Sequence, residues 1–420
     1  MARTIVFIPG NDPSKGLGGH SCYVRTMART AVALGFEPHI FCVAAEDGIA
    51  RTDYGVIHCC RTPVRPFRHN MMPLNARRLA RAVADFLSQK AGPHLIHGFI
   101  VWSYAAVLAA RELRRRGVEA VVVATTYDTF LNEIRGKVSG MEKNHGLFFR
   151  ARQLAEVAWS KLAVDPRERI GYENAARIFF NYDSVGRLLT ASYGLGPTLR
   201  KLPYTSETAM LPEPDGAPET VARFRARGVP LIVTASRHDP RKGLHLLLRV
   251  LARLRHQGLE FRVCMVGGGE LLECHRKLSR QLGLEDIVSI EGFVTSSYAF
   301  MKHADIFALP SSEEGSGSLS LIEALQTGVP VVASDVDGIP EDVTNEDSAL
   351  LVKPGDADAL ACALSRLIQD GVLRARLARR ARETFVKKFS PDALKAALEK
   401  NYAELGFGIG TRQTENSAAG

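Results

Sequence analysis

The chain has 420 residues, 46% of them apolar and 24% charged, with a formal net charge of +9. This globular composition is too long for one typical core, so two α/β domains are the default expectation. Seven cysteines, two of them adjacent (Cys59 and Cys60), have neither disulfide-scaffold density nor metal-ligand spacing, and a reducing cytoplasm fits.

The first residues, Met-Ala-Arg-Thr-Ile-Val-Phe-Ile-Pro-Gly, lack the apolar core and cleavage site of a secretory signal and read as a first β-strand. Strands are expected over 4–9, 38–43, 94–97, 120–125 and 177–181, alternating with helical patterns. The longest apolar stretch, 95–110, is broken by His97, Gly98 and Ser103, so it reads as a strand end and a helix rather than a membrane span. Around 203–230 five prolines (Pro203, Pro212, Pro214, Pro218 and Pro230) with Gly216 and Gly228 have the composition of a linker. A second strand series follows at 231–236, 261–266, 287–291, 305–309, 329–333 and 349–352. Ser390-Pro391 is an N-cap and first-turn pair opening a last helix to about Glu404. From Gly406 onward the chain is expected to be a disordered tail.

Charge divides unevenly. Residues 1–210 hold 28 Lys/Arg against 17 Asp/Glu, a balance of +11, whereas residues 211–420 balance at −2. The clusters are Arg61, Arg65 and Arg68; Arg77, Arg78 and Arg81; and Arg111, Arg114, Arg115 and Arg116. Such a face suits anionic lipid or a phosphorylated acceptor, with a plain solvated face as the alternative. Nucleic acid is disfavoured because no binding motif accompanies the charge.

Parallel sheets bind ligands at the carboxyl ends of their strands, and four segments lie there. Pro9 to His20 is a glycine-rich loop entering a helix, able to bring backbone N–H groups to a phosphate, although its spacing matches neither the dinucleotide fingerprint nor the P-loop. Arg237-His238-Asp239-Pro240-Arg241-Lys242-Gly243 sets an Arg fork and a Lys point charge together, which suits a diphosphate leaving group, with a solvated basic turn as the alternative. Val266-Gly267-Gly268-Gly269-Glu270 is a third strand-to-helix turn. In the fourth, Pro310 to Ala324, carboxylates flank a Gly/Ser turn opening a helix whose free N–H groups suit a phosphate or sugar oxygen. Ser320-x-x-Glu323 also fits a capping box, which would give Glu323 a structural role only.

In this order and spacing the four segments resemble family 4 of the retaining glycosyltransferases, of GT-B architecture. The similarity runs from Thr4 to about Glu404 and is strongest over 231–345. The resemblance implies two Rossmann-like domains with parallel sheets facing across a cleft. Residues 1–205 would bind the acceptor, 206–390 the nucleotide-sugar, and 391–408 would cross back, leaving 409–420 as the tail. It also implies that Arg237 and Lys242 bind the diphosphate with backbone N–H groups from Gly18-Gly19 and Gly317-Ser318-Leu319. Glu323 would hold the ribose, Phe293 and Val294 the nucleobase, and Glu314 the sugar hydroxyls near the anomeric carbon. Reaction would occur on the face of the leaving group, with no protein general base, cofactor or metal.

Three departures stand out. Glu314 and Glu323 have eight residues between them rather than seven, which a bulge at Gly315-Ser316-Gly317 could absorb, with Glu313 pointing away. The family's frequent His after strand 120–125 is replaced in Thr125-Thr126-Tyr127-Asp128, so Tyr127 or Asp128 would serve or the contact is absent, with His20 a further candidate for sugar or acceptor contact. The usual Pro-Asn-Gly turn is replaced by Pro203-Tyr204-Thr205-Ser206-Glu207. Asp335/Asp337 and Asp356/Asp358 imitate paired metal-binding aspartates, but Asp356 and Asp358 read better as a helix start. The expectation is a cytoplasmic hexosyltransferase acting in surface polysaccharide, glycolipid or natural-product glycosylation, with peripheral contact with the inner face of the membrane as a further expectation. The alternatives are an epimerase or phosphorylase on the same fold, or a non-catalytic nucleotide-sugar binder.

Overall fold

The computed structural model describes residues 3–16, 18–62, 73–129, 154–155, 157–314 and 316–408. The first sheet comprises β1 (Arg3–Gly10), β2 (Phe36–Ala44), β3 (Gly48–Thr52), β4 (Gly55–Arg61), β5 (His94–Phe99), β6 (Ala120–Thr125), β7 (Arg177–Phe180) and β8 (Leu199–Lys201). Their order is β3-β4-β2-β1-β5-β6-β7-β8, parallel except for the β3–β4 hairpin. The second sheet comprises β9 (Leu231–Ala235), β10 (Arg262–Val266), β11 (Val288–Gly292), β12 (Ile306–Leu309), β13 (Val331–Ser334) and β14 (Leu350–Val352). It is wholly parallel in the order β11-β10-β9-β12-β13-β14. Both sheets reverse their winding beside their first strand, between β1 and β5 and between β9 and β12. That reversal opens a crevice beyond the strand ends, where an α/β sheet holds ligands.

Helices of nine or more residues are α1 (Gly19–Ala33), α2 (Pro73–Leu87), α3 (Ser103–Arg115), α4 (Asp165–Glu173), α5 (Asp183–Tyr193), α6 (Leu244–His256), α7 (Leu272–Gln281), α8 (Leu319–Thr327), α9 (Ala357–Gln369), α10 (Gly371–Lys388) and α11 (Pro391–Glu404). Central strands such as β9, Leu-Ile-Val-Thr-Ala, are buried at every residue, because helices cover both faces of their sheet. α2 to α5 pack on one face of the first sheet and α1 on the other. In the second domain α6 and α9 cover one face, α8 covers the other, and α10 contributes to both cores.

α11 belongs to the first domain's core although it ends the described chain. Ser390 caps it, accepting from the Ala393 N–H at 3.3 Å, with Pro391 in the first turn. Leu394, Leu398 and Tyr402 are buried among Ile5, Phe7 and Leu95. His97, buried in that core, bridges Tyr402 OH (3.2 Å) and Thr125 Oγ1 (2.6 Å). Burial pushes its pKa down to about 3, so it is neutral.

The expected strands are all present within two residues at each end, whereas β3, β4 and β8 were not expected. Two expectations are corrected. The segment 203–230 is not a plain linker: it holds a 3₁₀ turn (Glu207–Met210) and a helix (Glu219–Arg225), with Thr205, Ser206 and Glu207 buried. Hydrogen bonds to both domains draw these polar residues inward, as the site below shows. Nor does disorder begin at Gly406. The Phe407 side chain is buried, its N–H donates to Tyr402 O at 2.8 Å, and Arg3 donates to Gly408 O at 3.0 Å. The rest of the expected tail, 409–420, lies outside the described residues.

Leu398→Ala removes a fully buried side chain bridging α11 and β1, so unfolding stability should fall by about 2–5 kcal/mol. Urea denaturation followed by tryptophan fluorescence checks this; an unchanged midpoint would mean that α11 is not part of the first core.

Candidate active site

The two winding reversals face each other. α1 begins at Gly19 directly from the loop after β1, and α8 begins at Leu319 from the loop after β12. A Cβ built on Gly19 would lie 3.3 Å from Leu319 Cδ1, so the two helix starts are in near contact across the cleft. Neither N-cap residue, Gly18 or Ser318, takes up the first-turn N–H groups with its side chain, and two positive dipole ends converge on one place.

Lys242 stands at the end of the β9 loop. The following Gly243 has φ +63°, and a Cβ there would overlap the Pro310 carbonyl oxygen, so the backbone needs glycine to bring this loop against the β12 end. Lys242 Nζ lies 2.7 Å from Glu314 Oε2, with the two side chains 12% and 4% exposed. Glu314 also accepts from Ser311 Oγ at 2.5 Å, and its own N–H donates to Asp337 Oδ2 at 2.6 Å. Each charge compensates the other's burial, so removing either strands its partner. Glu313 does not enter this group; its carboxylate is 3.7 Å from Arg241.

Arg237 is not gathered with them. It is 68% exposed and reaches Asp239 at 3.4 Å. Nor does Ser320 cap through Glu323: the N-cap is Ser318, so Glu323 lies a turn further in, and the capping-box reading fails. Its carboxylate instead accepts from Ser206 Oγ (3.2 Å) and Ser297 Oγ (3.2 Å). Burial pushes its pKa up to about 7, against those hydroxyls, which lower it.

On the first domain's wall, His20 Nδ1 contacts the Tyr127 hydroxyl and Nε2 is 3.1 Å from Pro9 O. Asp128 turns to the backbone, where Oδ1 accepts the Thr129 N–H at 2.7 Å. Phe293 is exposed beside Gly268, and Val294 packs partly into the second core.

The bulge expected at Gly315-Ser316-Gly317 falls partly outside the described residues, at Gly315. Gly317 does not have positive φ. Gly317 is needed for space: a Cβ there would overlap the Tyr182 phenol. The paired aspartates have local partners. Asp337 accepts from Glu314, and Asp356 caps α9 through the Asp358 and Ala359 N–H groups.

Three residues at the site had no role assigned from the sequence, although two of them, Ser206 and Glu207, stand in the altered turn at the domain junction. Arg25 on α1 grips the glycine-rich loop through Pro13 O (2.6 Å) and Gly16 O (2.9 Å), and pairs with Glu207 at 2.7 Å. Ser206, next to Glu207, bonds Glu323. The loop entering α1 and the carboxylate on α8 are thereby linked through this short chain of contacts. Only long-range pairing could reveal it.

Residues 18–204 match the family model described as "Glycosyl transferase 4-like domain", and residues 221–384 match "Glycosyl transferases group 1". The chain belongs to this glycosyltransferase family. A GDP-mannose-dependent α-(1-6)-phosphatidylinositol monomannoside mannosyltransferase of Mycobacterium tuberculosis is 31% identical over 254 residues, 58% of this chain and 66% of that protein. A putative colanic acid biosynthesis glycosyltransferase of Escherichia coli is 35% identical over 185 residues, 41% and 45% of the two chains. The matched stretches thus span less than two thirds of these curated relatives. Among solved structures, sucrose-phosphate synthase from Thermosynechococcus elongatus superposes with a TM-score of 0.72 at 21% identity, covering 96% and 99% of the two chains. Anabaena HepE in complex with UDP and glucose gives 0.65 at 16%, covering 96% and 100%. At such identities the likeness is one of fold, and the architecture is GT-B.

The raised Glu323 pKa has a measurable consequence. Between the ordinary value of 4.5 and about 7, the folded protein holds a proton that the unfolded chain has released. This group's contribution to stability therefore falls as pH rises from about 4.5 to about 7 and is constant above. Urea midpoints of wild type and Glu323→Gln should diverge over that interval, the wild type losing ground. Parallel profiles would mean that the carboxyl titrates normally.

Proposed function

We propose that this chain is a retaining, metal-independent glycosyltransferase that moves a hexose from a nucleoside-diphosphate sugar to an acceptor hydroxyl. The observation that carries the reading is the near contact of the α1 and α8 N-termini, with Lys242 paired to Glu314 on the loop that leads into α8. It provides uncapped N–H groups, two dipole ends and an ammonium for a diphosphate. Glu323 suits the ribose hydroxyls as an acceptor one turn along α8, and Glu314 the donor sugar. Phe293 and Val294 stand on the loop after β11, where a base could lie against the backbone.

The Lys242–Glu314 pair gives the reaction a definite form. Without donor, Glu314 compensates the ammonium and holds it in place. With donor bound, the diphosphate shares the ammonium, freeing carboxylate lone pairs for sugar hydroxyls. As the bond from the anomeric carbon to the diphosphate oxygen breaks, negative charge grows on that oxygen, where Lys242 and the N–H groups stabilise it. The acceptor oxygen bonds to the same face of the anomeric carbon, and its proton passes to the departing diphosphate. No protein base is needed. His20 and Tyr127, on the acceptor wall, are placed to orient a hydroxyl.

Turnover is tested with a panel of UDP- and GDP-sugars, reading release of the nucleoside diphosphate and the anomeric configuration of the product. Lys242→Ala should lose about 10²–10³ in turnover, as for one preorganised electrostatic contact. Glu314→Ala should abolish transfer, while Glu313→Ala and Arg237→Ala retain more, since neither side chain joins the buried pair. Binding without turnover in wild type would make the chain a nucleotide-sugar binder. Activity should survive EDTA; loss restored by Mg²⁺ or Mn²⁺ would promote Asp335 and Asp337 to metal ligands.

The proposed acceptor is a lipid-linked or surface-glycan precursor, at the cytoplasmic face of a membrane. α2 and α3 pack side by side and expose Arg77, Arg78, Arg81, Arg111, Arg114 and Arg115, a surface suited to anionic lipid. Arg65 and Arg68 lie outside the described residues. No described helix is long and apolar enough to cross a membrane. Binding to acidic liposomes should weaken steeply with added salt. A protein that ignores such liposomes at low salt would have a soluble acceptor.

A further inference from the structure

One contact between the domains reaches the backbone of the donor site itself. Tyr182 follows β7 in the first domain and is buried. Its ring lies where a Cβ at either Gly317 or Gly338 would fall. Its hydroxyl donates to Asp342 Oδ2 at 3.0 Å. The two glycine segments are joined beneath the ring, the Gly338 N–H donating to Ser316 O at 2.5 Å. The turn at Ser316-Gly317, leading straight into Ser318 and Leu319, is thus pressed between its own domain and an aromatic side chain of the other.

The surrounding contacts hold Tyr182 there. Glu341 accepts the Asp183 and Ser184 N–H groups at 2.7 and 3.1 Å, capping α5 from the opposite domain. Lys201 pairs with Glu341 and Asp183, each at 2.9 Å. Lys388 donates to the carbonyl oxygens of Glu341 and Asp342 at 3.1 and 3.2 Å. Neither glycine can carry a side chain while Tyr182 is seated, so the fit is steric as well as polar.

We propose that Tyr182 is a positioning residue for the donor, an acceptor-domain side chain that sets the Ser316–Leu319 backbone in the geometry that binds diphosphate. This rests on the donor assignment above. It adds that the phosphate site is complete only while the domains are docked, because a domain rotation that withdraws the ring removes the packing behind the turn. Donor affinity and domain closure then share one contact, and diphosphate binding favours the docked arrangement.

The test compares Tyr182→Ala and Tyr182→Phe with wild type. Calorimetry reads UDP and GDP binding, and hydrogen exchange without nucleotide reads the amides of residues 316–320. Tyr182→Ala should weaken the bound nucleotide tenfold or more and speed exchange at those amides. Tyr182→Phe, which keeps the ring, should stay within about threefold of wild type. In steady state the Ala variant should raise donor KM more than it lowers kcat, whereas partial unfolding would lower kcat alone through the active fraction. Wild-type affinity and exchange in Tyr182→Ala, with only the melting temperature lowered, would overturn the proposal and leave the donor reading standing. A wild-type protein that binds neither nucleotide would overturn the donor reading and this inference with it.

Discussion

The structure depends on bringing two parallel-sheet reversals to one place. Each sheet alone makes a shallow crevice with one helix start; face to face, they make a cleft in which two dipole ends act on the same charge. This arrangement is electrostatically unfavourable when empty, because like ends converge beside an ammonium. Glu314 answers part of that cost from within the site, and Glu207 answers another part by compensating Arg25 behind the glycine-rich loop.

The constraint explains why several polar residues are buried or half-buried where a hydrophobic core would be simpler. Ser206 and Glu323 form a polar contact between the segment joining the domains and α8, with Ser297, at the start of the short helix after β11, donating to the same carboxylate. Arg25 and Glu207 do the same between that segment and α1. Such contacts contribute little net stability relative to apolar packing, but they are directional and so specify relative placement. For a site built from two domains, placement is the property that matters.

The strand series was legible because buried parallel strands appear as unbroken β-branched runs, and the loops because glycine and charge gather at strand ends. The hairpin β3–β4 escaped for a physical reason. Gly48–Thr52 is exposed along most of its length and needs no apolar alternation, and β4 carries His58 and two cysteines in place of a clean apolar run. The buried Ser206-Glu207 pair was hidden by neighbouring prolines, whose composition is that of a solvated linker. Tyr182 was the least legible of all. A tyrosine after a strand is ordinary, and what makes it matter is two glycines more than 130 positions away. Lys242 and Glu314 were each legible on loops at strand ends, but their pairing was not; Arg237, two residues past the β9 end, turns outward toward Asp239.

The chain passes between the domains twice, once on leaving β8 and again on entering α11. These two passages touch, for Thr205 donates to the Ser390 carbonyl oxygen at 3.3 Å. Two separated tethers would define a line and permit a broad shearing slide. Two tethers bound together act as a single pivot, so that opening swings the far rim of the cleft widely while the chain near the pivot scarcely moves. A substrate that must enter and leave at every turnover would then use the rim remote from residues 205 and 390.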